Sequence, residues 1–364
     1  MPRRLLTLTA TLALAALGGC SAAGVLNAAV SHKLFRTENG LAYGNAPRQT
    51  LDVYVPAADA PPAALRGRPV VVFFYGGSWQ NGSRSSYLFV GAALASHGFV
   101  AVLPDYRTWP DTTFPGFVDD AAKAVRWARD HAAGFGGDPS RIFLMGHSAG
   151  AHIALLLATD GRYLAAQQMS KSDLGGVIGL AGPYDFLPLH DATLEAIFPA
   201  ALRAASQPIN FVEGDEPPIF LAAGQRDTTV DPGNTDRLAA KLRASGDTDV
   251  EVKHYPGVGH ALLVGAIAGP LRGFAPVLDD TSAFIHAQMS QETPRARDDA
   301  VGARPLPASS GAQSNVYQMR RQRTKAATAP CDGQASARAA GGDADANANA
   351  NAACPSQNNP GHND

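Results

Sequence analysis

Between residues 40 and 290 the chain alternates short, wholly apolar runs with longer stretches whose apolar residues recur at helical spacing. Pro69-Val70-Val71-Val72-Phe73-Phe74 is β-branched and aromatic, the pattern of a strand buried on both faces. The runs at 100–103, 142–145, 177–180, 219–223 and 250–255 predict further strands, and 117–128 and 151–158 predict helices. Such alternation predicts an α/β fold: a mostly parallel sheet with helices on both faces. Residues 40–290 are enough for one domain with one buried core. Residues 187–212 carry Phe198, Ile209 and Phe211 in no regular period, and no internal repeat is evident.

The two ends break the pattern. Arg3 and Arg4 precede an apolar segment, 5–17, that is too short to span a bilayer comfortably. Leu17-Gly18-Gly19-Cys20 then has the form of a bacterial lipobox. This predicts a lipoprotein signal peptide over 1–19, acylation of Cys20, and a membrane anchor in the cell envelope, facing the periplasm or the exterior. The bland alternative is a secretory signal cut near Ala22 or Ala23. Residues 20–39 read as a linker behind the lipidated cysteine. From residue 291 the chain becomes polar and of low complexity, with Ala, Asn, Asp and Gly dominating 341–353. A tail of that composition, 291–364, buries too little apolar area to offset chain entropy and is expected to be disordered.

Charge and cysteine use narrow the partners. Thirty Lys and Arg against 32 Asp and Glu leave a net charge of −2, which argues against nucleic acid. The basic run at 320–325 reads as a solvated segment. Of the three cysteines, Cys331 and Cys354 flank part of the tail and could pair in an oxidising compartment. No Cys/His cluster has zinc-ligand spacing, and neither a P-loop nor a dinucleotide-binding glycine fingerprint occurs. No metal and no cofactor is therefore expected.

The candidate chemistry lies where strands end. Gly146-His147-Ser148-Ala149-Gly150 sits between a predicted strand and a predicted helix, so Ser148 occupies a sharp turn with its hydroxyl at the positive end of a helix. A serine hydroxyl is a poor nucleophile until a base takes its proton. His260, on a glycine-flanked loop after 250–255, is the candidate base, preferred over His254 inside that strand. Asp227, just past 219–223, is the candidate acid that orients the histidine, with Asp231 and Asp236 as nearby competitors. Tyr75-Gly76-Gly77-Ser78-Trp79 follows the first core strand directly. Its glycines let backbone N–H groups of Gly76 and Gly77 join that of Ala149 in an oxyanion hole. Trp79, His147, Phe198 and Leu262 are candidate pocket walls. Asp185 reads as a turn residue, and Asp105 with Arg107 as a charged pair that ties down the oxyanion loop.

As a set these residues resemble the carboxylesterases of the α/β-hydrolase superfamily, the broad group of hormone-sensitive-lipase-like and feruloyl-esterase-like enzymes. The resemblance rests on Leu51-Asp52-Val53-Tyr54, Tyr75 to Trp79, Pro104-Asp105-Tyr106-Arg107, Gly146 to Gly150, Asp227 and His260. Gly76-Gly77-Ser78-Trp79-Gln80-Asn81-Gly82 and Gly182-Pro183-Tyr184-Asp185 look most like prenylcysteine methylesterases and arylformamidases. It implies an α/β-hydrolase fold with a small cap at 187–212, a Ser148–His260–Asp227 triad, and hydrolysis of short-chain or aromatic carboxylic esters. An amidase with the same triad and a non-catalytic envelope scaffold are the alternatives. One departure stands out: the family commonly has histidine where this chain has Tyr75, whose hydroxyl would have to brace the oxyanion loop instead.

Overall fold

The computed structural model describes residues 22–57 and 67–301, with side chains as far as residue 290. The signal segment, Cys20, Cys331, Cys354 and the tail beyond 301 lie outside these residues.

Eight strands form one sheet: β1 (Phe35–Ala42), β2 (Thr50–Pro56), β3 (Arg68–Phe74), β4 (Val100–Pro104), β5 (Gly137–His147), β6 (Leu174–Leu180), β7 (Ile219–Gly224) and β8 (Val250–Tyr255). Their spatial order is β1-β2-β4-β3-β5-β6-β7-β8. β2 pairs antiparallel with β1 and β4, and every other pairing is parallel. β3 and the second half of β5 lie mid-sheet and are buried on both faces, as their unbroken apolar runs require. Edge strand β1 is instead mostly exposed, with only Phe35 buried.

The helices are α1 (Ala22–Ala28), α2 (Leu88–Ser96), α3 (Gly116–His131), α4 (Ala149–Thr159), α5 (Gly161–Ala165), α6 (Ala192–Ile197), α7 (Gly233–Ser245), α8 (His260–Gly265) and α9 (Val277–Val301). α4 is almost wholly apolar and completely buried, which places it at the centre of the core behind β5. α3 is amphipathic: Phe117, Val118, Ala121, Val125 and Ala128 are buried, while its acidic and basic residues are mostly on the other side.

Two boundary expectations need correction. The linker expected over 20–39 holds α1 and the start of β1. α1 is fastened because both ends of the Asn27 amide find backbone partners, Ser85 O at 2.8 Å and Phe89 N at 3.0 Å. Phe35 is buried against Tyr54, with ring centroids 5.7 Å apart. At the other end, the backbone of α9 continues to Val301, past the expected boundary at 290.

Candidate active site

Ser148 stands between β5 and α4 with φ 57° and ψ −123°, a conformation that side chains rarely adopt. The turn holds it there: its N–H donates to Leu180 O at 2.9 Å, and its carbonyl accepts from His152 N at 3.1 Å. Small neighbours are obligatory. A Cβ on Gly146 would run into the Gly150 carbonyl, and one on Gly150 into the Phe74 carbonyl. β3, β5 and α4 approach so closely that only glycine fits.

His260 and Asp227 reach the serine from the ends of two other connections. His260 opens α8 after β8, and its Nε2 lies 2.9 Å from Ser148 Oγ. Its Nδ1 lies 2.7 Å from Asp227 Oδ2. The other oxygen, Asp227 Oδ1, accepts from the N–H groups of Thr229 (2.8 Å) and Val230 (2.9 Å). The carboxylate is therefore fully engaged and buried, while the imidazole retains some access to solvent. The competing residues are elsewhere: Asp231 pairs with Arg237, and Asp236 with His254 on the surface.

The oxyanion loop lies beside the hydroxyl. A Cβ added to Gly76 would sit 2.9 Å from Ser148 Cβ, so the backbone of this loop is in contact with the turn. Gly77 has φ 135°, and its carbonyl accepts from Gln80 and Asn81, which curls the loop back on itself. Ala149, the first residue of α4, has an N–H with no acceptor inside the helix and lies at the positive end of the helix dipole.

Tyr75 braces this loop as its hydroxyl allows. Its OH donates to Asp105 Oδ1 at 2.8 Å and accepts from Arg48 at 2.9 Å. Burial and the Asp105 carboxylate push its pKa well up, so it stays a phenol and a donor. The expected Asp105–Arg107 pair is not formed. Asp105 pairs with Arg84, which also binds Asp52, whereas Arg107 makes a two-pronged contact with Asp120 at 2.8 and 2.7 Å. Asp105 still ties down the oxyanion loop, through Tyr75 and the Arg84 N–H.

A cleft of about 590 Å³ opens at Ser148. Trp79 lines it, together with Phe186, with Leu187, Pro188 and Leu194 from the cap segment and with Val230 beyond Asp227. The other three expected walls do not line it. Phe198 is wholly buried behind Trp79, edge-on to its ring with centroids 4.8 Å apart. His147 points under His260, with Nε2 3.1 Å from the His260 carbonyl. Burial and the neighbouring His260 ring hold its pKa down at about 3, so it is a neutral packing residue. Leu262, two residues into α8, packs against the core. Asp185 does more than close a turn: it pairs with Arg237 at 2.7 Å on the rim of the cleft.

His152 went unsingled in the sequence, though it is the polar residue in an apolar helix, four positions after Ser148. It is completely buried; Trp79 Nε1 donates to its Nδ1 at 3.3 Å, and its Nε2 lies 2.7 Å from Ser206 O. It thus links the oxyanion loop, α4 and the cap. Arg48 carried no sequence signal.

A family model, BD-FAE, matches residues 51–242. The chain belongs to the BD-FAE family of α/β-hydrolases. The BD-FAE match takes in the oxyanion loop, Ser148 and Asp227 and ends before His260, which the geometry supplies. Among curated relatives, the isoprenylcysteine alpha-carbonyl methylesterase ICME of Arabidopsis thaliana is 31% identical over 289 residues, covering 73% of this chain and 66% of that one. Esterase LipC of Mycobacterium tuberculosis is 32% identical over 264 residues, covering 66% of this chain and 64% of its own length. The alignments thus span slightly less than two thirds of these relatives. Of solved structures, Thermogutta terrifontis esterase 2 matches with a TM-score of 0.58 at 25% identity, over 71% of this chain and 96% of that one. Esterase B from Lactobacillus rhamnosis matches with a TM-score of 0.63 at 22% identity, over 80% and 97%, a likeness of fold.

Proposed function

We propose that this BD-FAE chain is a serine carboxylesterase acting on short-chain or aromatic esters. The observation that carries the reading is the continuous relay Ser148 Oγ–His260–Asp227, with separations of 2.9 and 2.7 Å, at the floor of an open cleft. Ser148 Oγ attacks the ester carbonyl carbon as His260 Nε2 takes its proton. The negative oxygen that forms is held by the N–H of Ala149 and by those of Gly76 and Gly77. His260 returns the proton to the departing alcohol oxygen, leaving an acyl group on Ser148. Water then attacks the acyl carbon, losing its proton to His260, which passes it to Ser148 Oγ as the bond between that oxygen and the acyl carbon breaks and the acid leaves. Asp227 holds the ring in the Nδ1–H tautomer and stabilises the imidazolium. The curated esterase relatives support the reaction class, and the apolar walls Trp79, Phe186 and Leu194 support an uncharged acyl or aryl group.

The test is hydrolysis of p-nitrophenyl esters from acetate to dodecanoate. Activity should peak at short chains and vanish in Ser148→Ala. Wild-type rates no higher than the variant's would overturn the reading.

Leu17-Gly18-Gly19-Cys20 further supports an envelope protein anchored by lipid on Cys20. Its test is the mass of the mature N-terminal peptide, which should carry acyl chains; an unmodified Cys20 would remove the anchor.

A further inference from the structure

With 1–19 removed at the lipobox, only Cys20 and Ser21 stand ahead of α1 as a tether. Cys20 stands two residues before Ala22, and two peptide units reach at most about 7 Å. α1 is itself fastened to the domain through Asn27, whose amide joins the Ser85 carbonyl to the Phe89 N–H in α2. A lipid on Cys20 therefore brings a particular surface of the folded domain against the bilayer. This step rests on reading Cys20 as acylated.

The surface around α1 has the matching chemistry. Of the five large apolar side chains exposed among the described residues, Val25 (45%) stands on α1, Leu34 (48%) on the chain between α1 and β1, and Phe274 (62%) at the end of the turn Gly269–Phe274. An apolar groove of about 180 Å³ runs between their segments, walled by Leu26 and Val30 on one side and by Phe89 and Pro270 on the others. The charge is complementary too. No carboxylate occurs before Glu38, and exposed Lys33 and Arg272 stand on the segments that carry the apolar residues. The carboxylate of Asp279 is paired with His97, next in the chain to the groove-lining Ser96. Apolar side chains bordered by cations suit the boundary between acyl chains and phosphate headgroups. No helix among the described residues is long and apolar enough to cross a membrane, so the contact is one of lying on the surface.

We propose that the face made by α1, Leu34 and the turn Gly269–Phe274 seats on the lipid bilayer beside Cys20 and gives the domain one orientation there. The turn follows closely on α8, which begins at His260, so the seated surface and the catalytic histidine belong to one stretch of chain.

Flotation and fluorescence quenching test this together. The full chain carrying Phe274→Trp is floated with vesicles of phosphatidylethanolamine and phosphatidylglycerol whose acyl chains bear bromine. The wild-type chain supplies the background from its own tryptophans, and Ala240→Trp, at an exposed position of α7, is the control. Emission from the tryptophan added by Phe274→Trp should fall at least about twofold relative to unbrominated vesicles, and that from Ala240→Trp should not change. Protein that floats with unquenched emission in Phe274→Trp overturns the seating and leaves the anchor standing. Protein that does not float overturns both.

Discussion

Ser148 is held in a backbone conformation that costs on the order of 1–3 kcal/mol, a cost borne by the close packing of β3, β5 and α4. Glycine would occupy φ 57° without that cost. Ser148→Gly should therefore abolish ester hydrolysis and yet raise stability by about 1 kcal/mol. Thermal unfolding checks this, and a lowered midpoint would mean that the turn is not strained. Gly76→Ala makes the converse case. Its methyl group would meet Ser148 Cβ at 2.9 Å and push the oxyanion loop outward. We expect kcat to fall by about 10²–10³, with KM changed much less. Unchanged kcat would remove Gly76 from the oxyanion hole.

At the scale of elements, the site depends on the loop after β3 keeping its shape while carrying positive φ at Gly77, Ser78 and Trp79. The brace is the Tyr75 hydroxyl at the start of the loop, held from outside it by Asp105 after β4 and Arg48 before β2, with Arg84 before α2 on the same Asp105 carboxylate. Tyr75→Phe leaves the ring packed on Tyr106 but strips a buried hydrogen bond from Asp105. The expected loss is about 1–3 kcal/mol of stability, with kcat reduced more than KM. Equal stability in urea titrations of the two proteins would show that Arg84 alone holds Asp105. The Tyr75 brace was expected from the resemblance alone, since the family commonly has histidine at that position. Its partners were not: Arg48 lies far along the chain from Tyr75, and nothing in the local pattern marks it.

Across the whole molecule, two neutral imidazoles make stability depend on pH. Burial lowers His147 from 6.5 to about 3 and His152 from 6.5 to about 4. The unfolded chain takes up protons near 6.5, which the folded rings refuse until far lower pH. Stability is thus fully present above about pH 6.5 and declines as pH falls toward 4, by up to about 1.4 kcal/mol per pH unit for each ring. The melting temperature should drop between pH 7 and pH 5, and His152→Gln, which keeps a donor and an acceptor but cannot titrate, should flatten that drop. Parallel curves for the two proteins would exclude His152 as a source.

The sequence by itself determined what local pattern can encode. Unbroken apolar runs made buried parallel strands, and glycines about Ser148 marked a close strand–helix approach. Residues just past strand ends, Asp227 and His260, could be matched to roles because a parallel sheet brings those ends together. Tertiary structure alone decided which side chains face the substrate and which charges meet. Phe198 turned inward because the cap folds over Trp79, and Arg107 found Asp120 because α3 presents it there. The segment before β1 became part of the domain because Asn27 found two backbone partners far along the chain. Such contacts depend on three-dimensional proximity between distant residues, which no periodicity along the chain records.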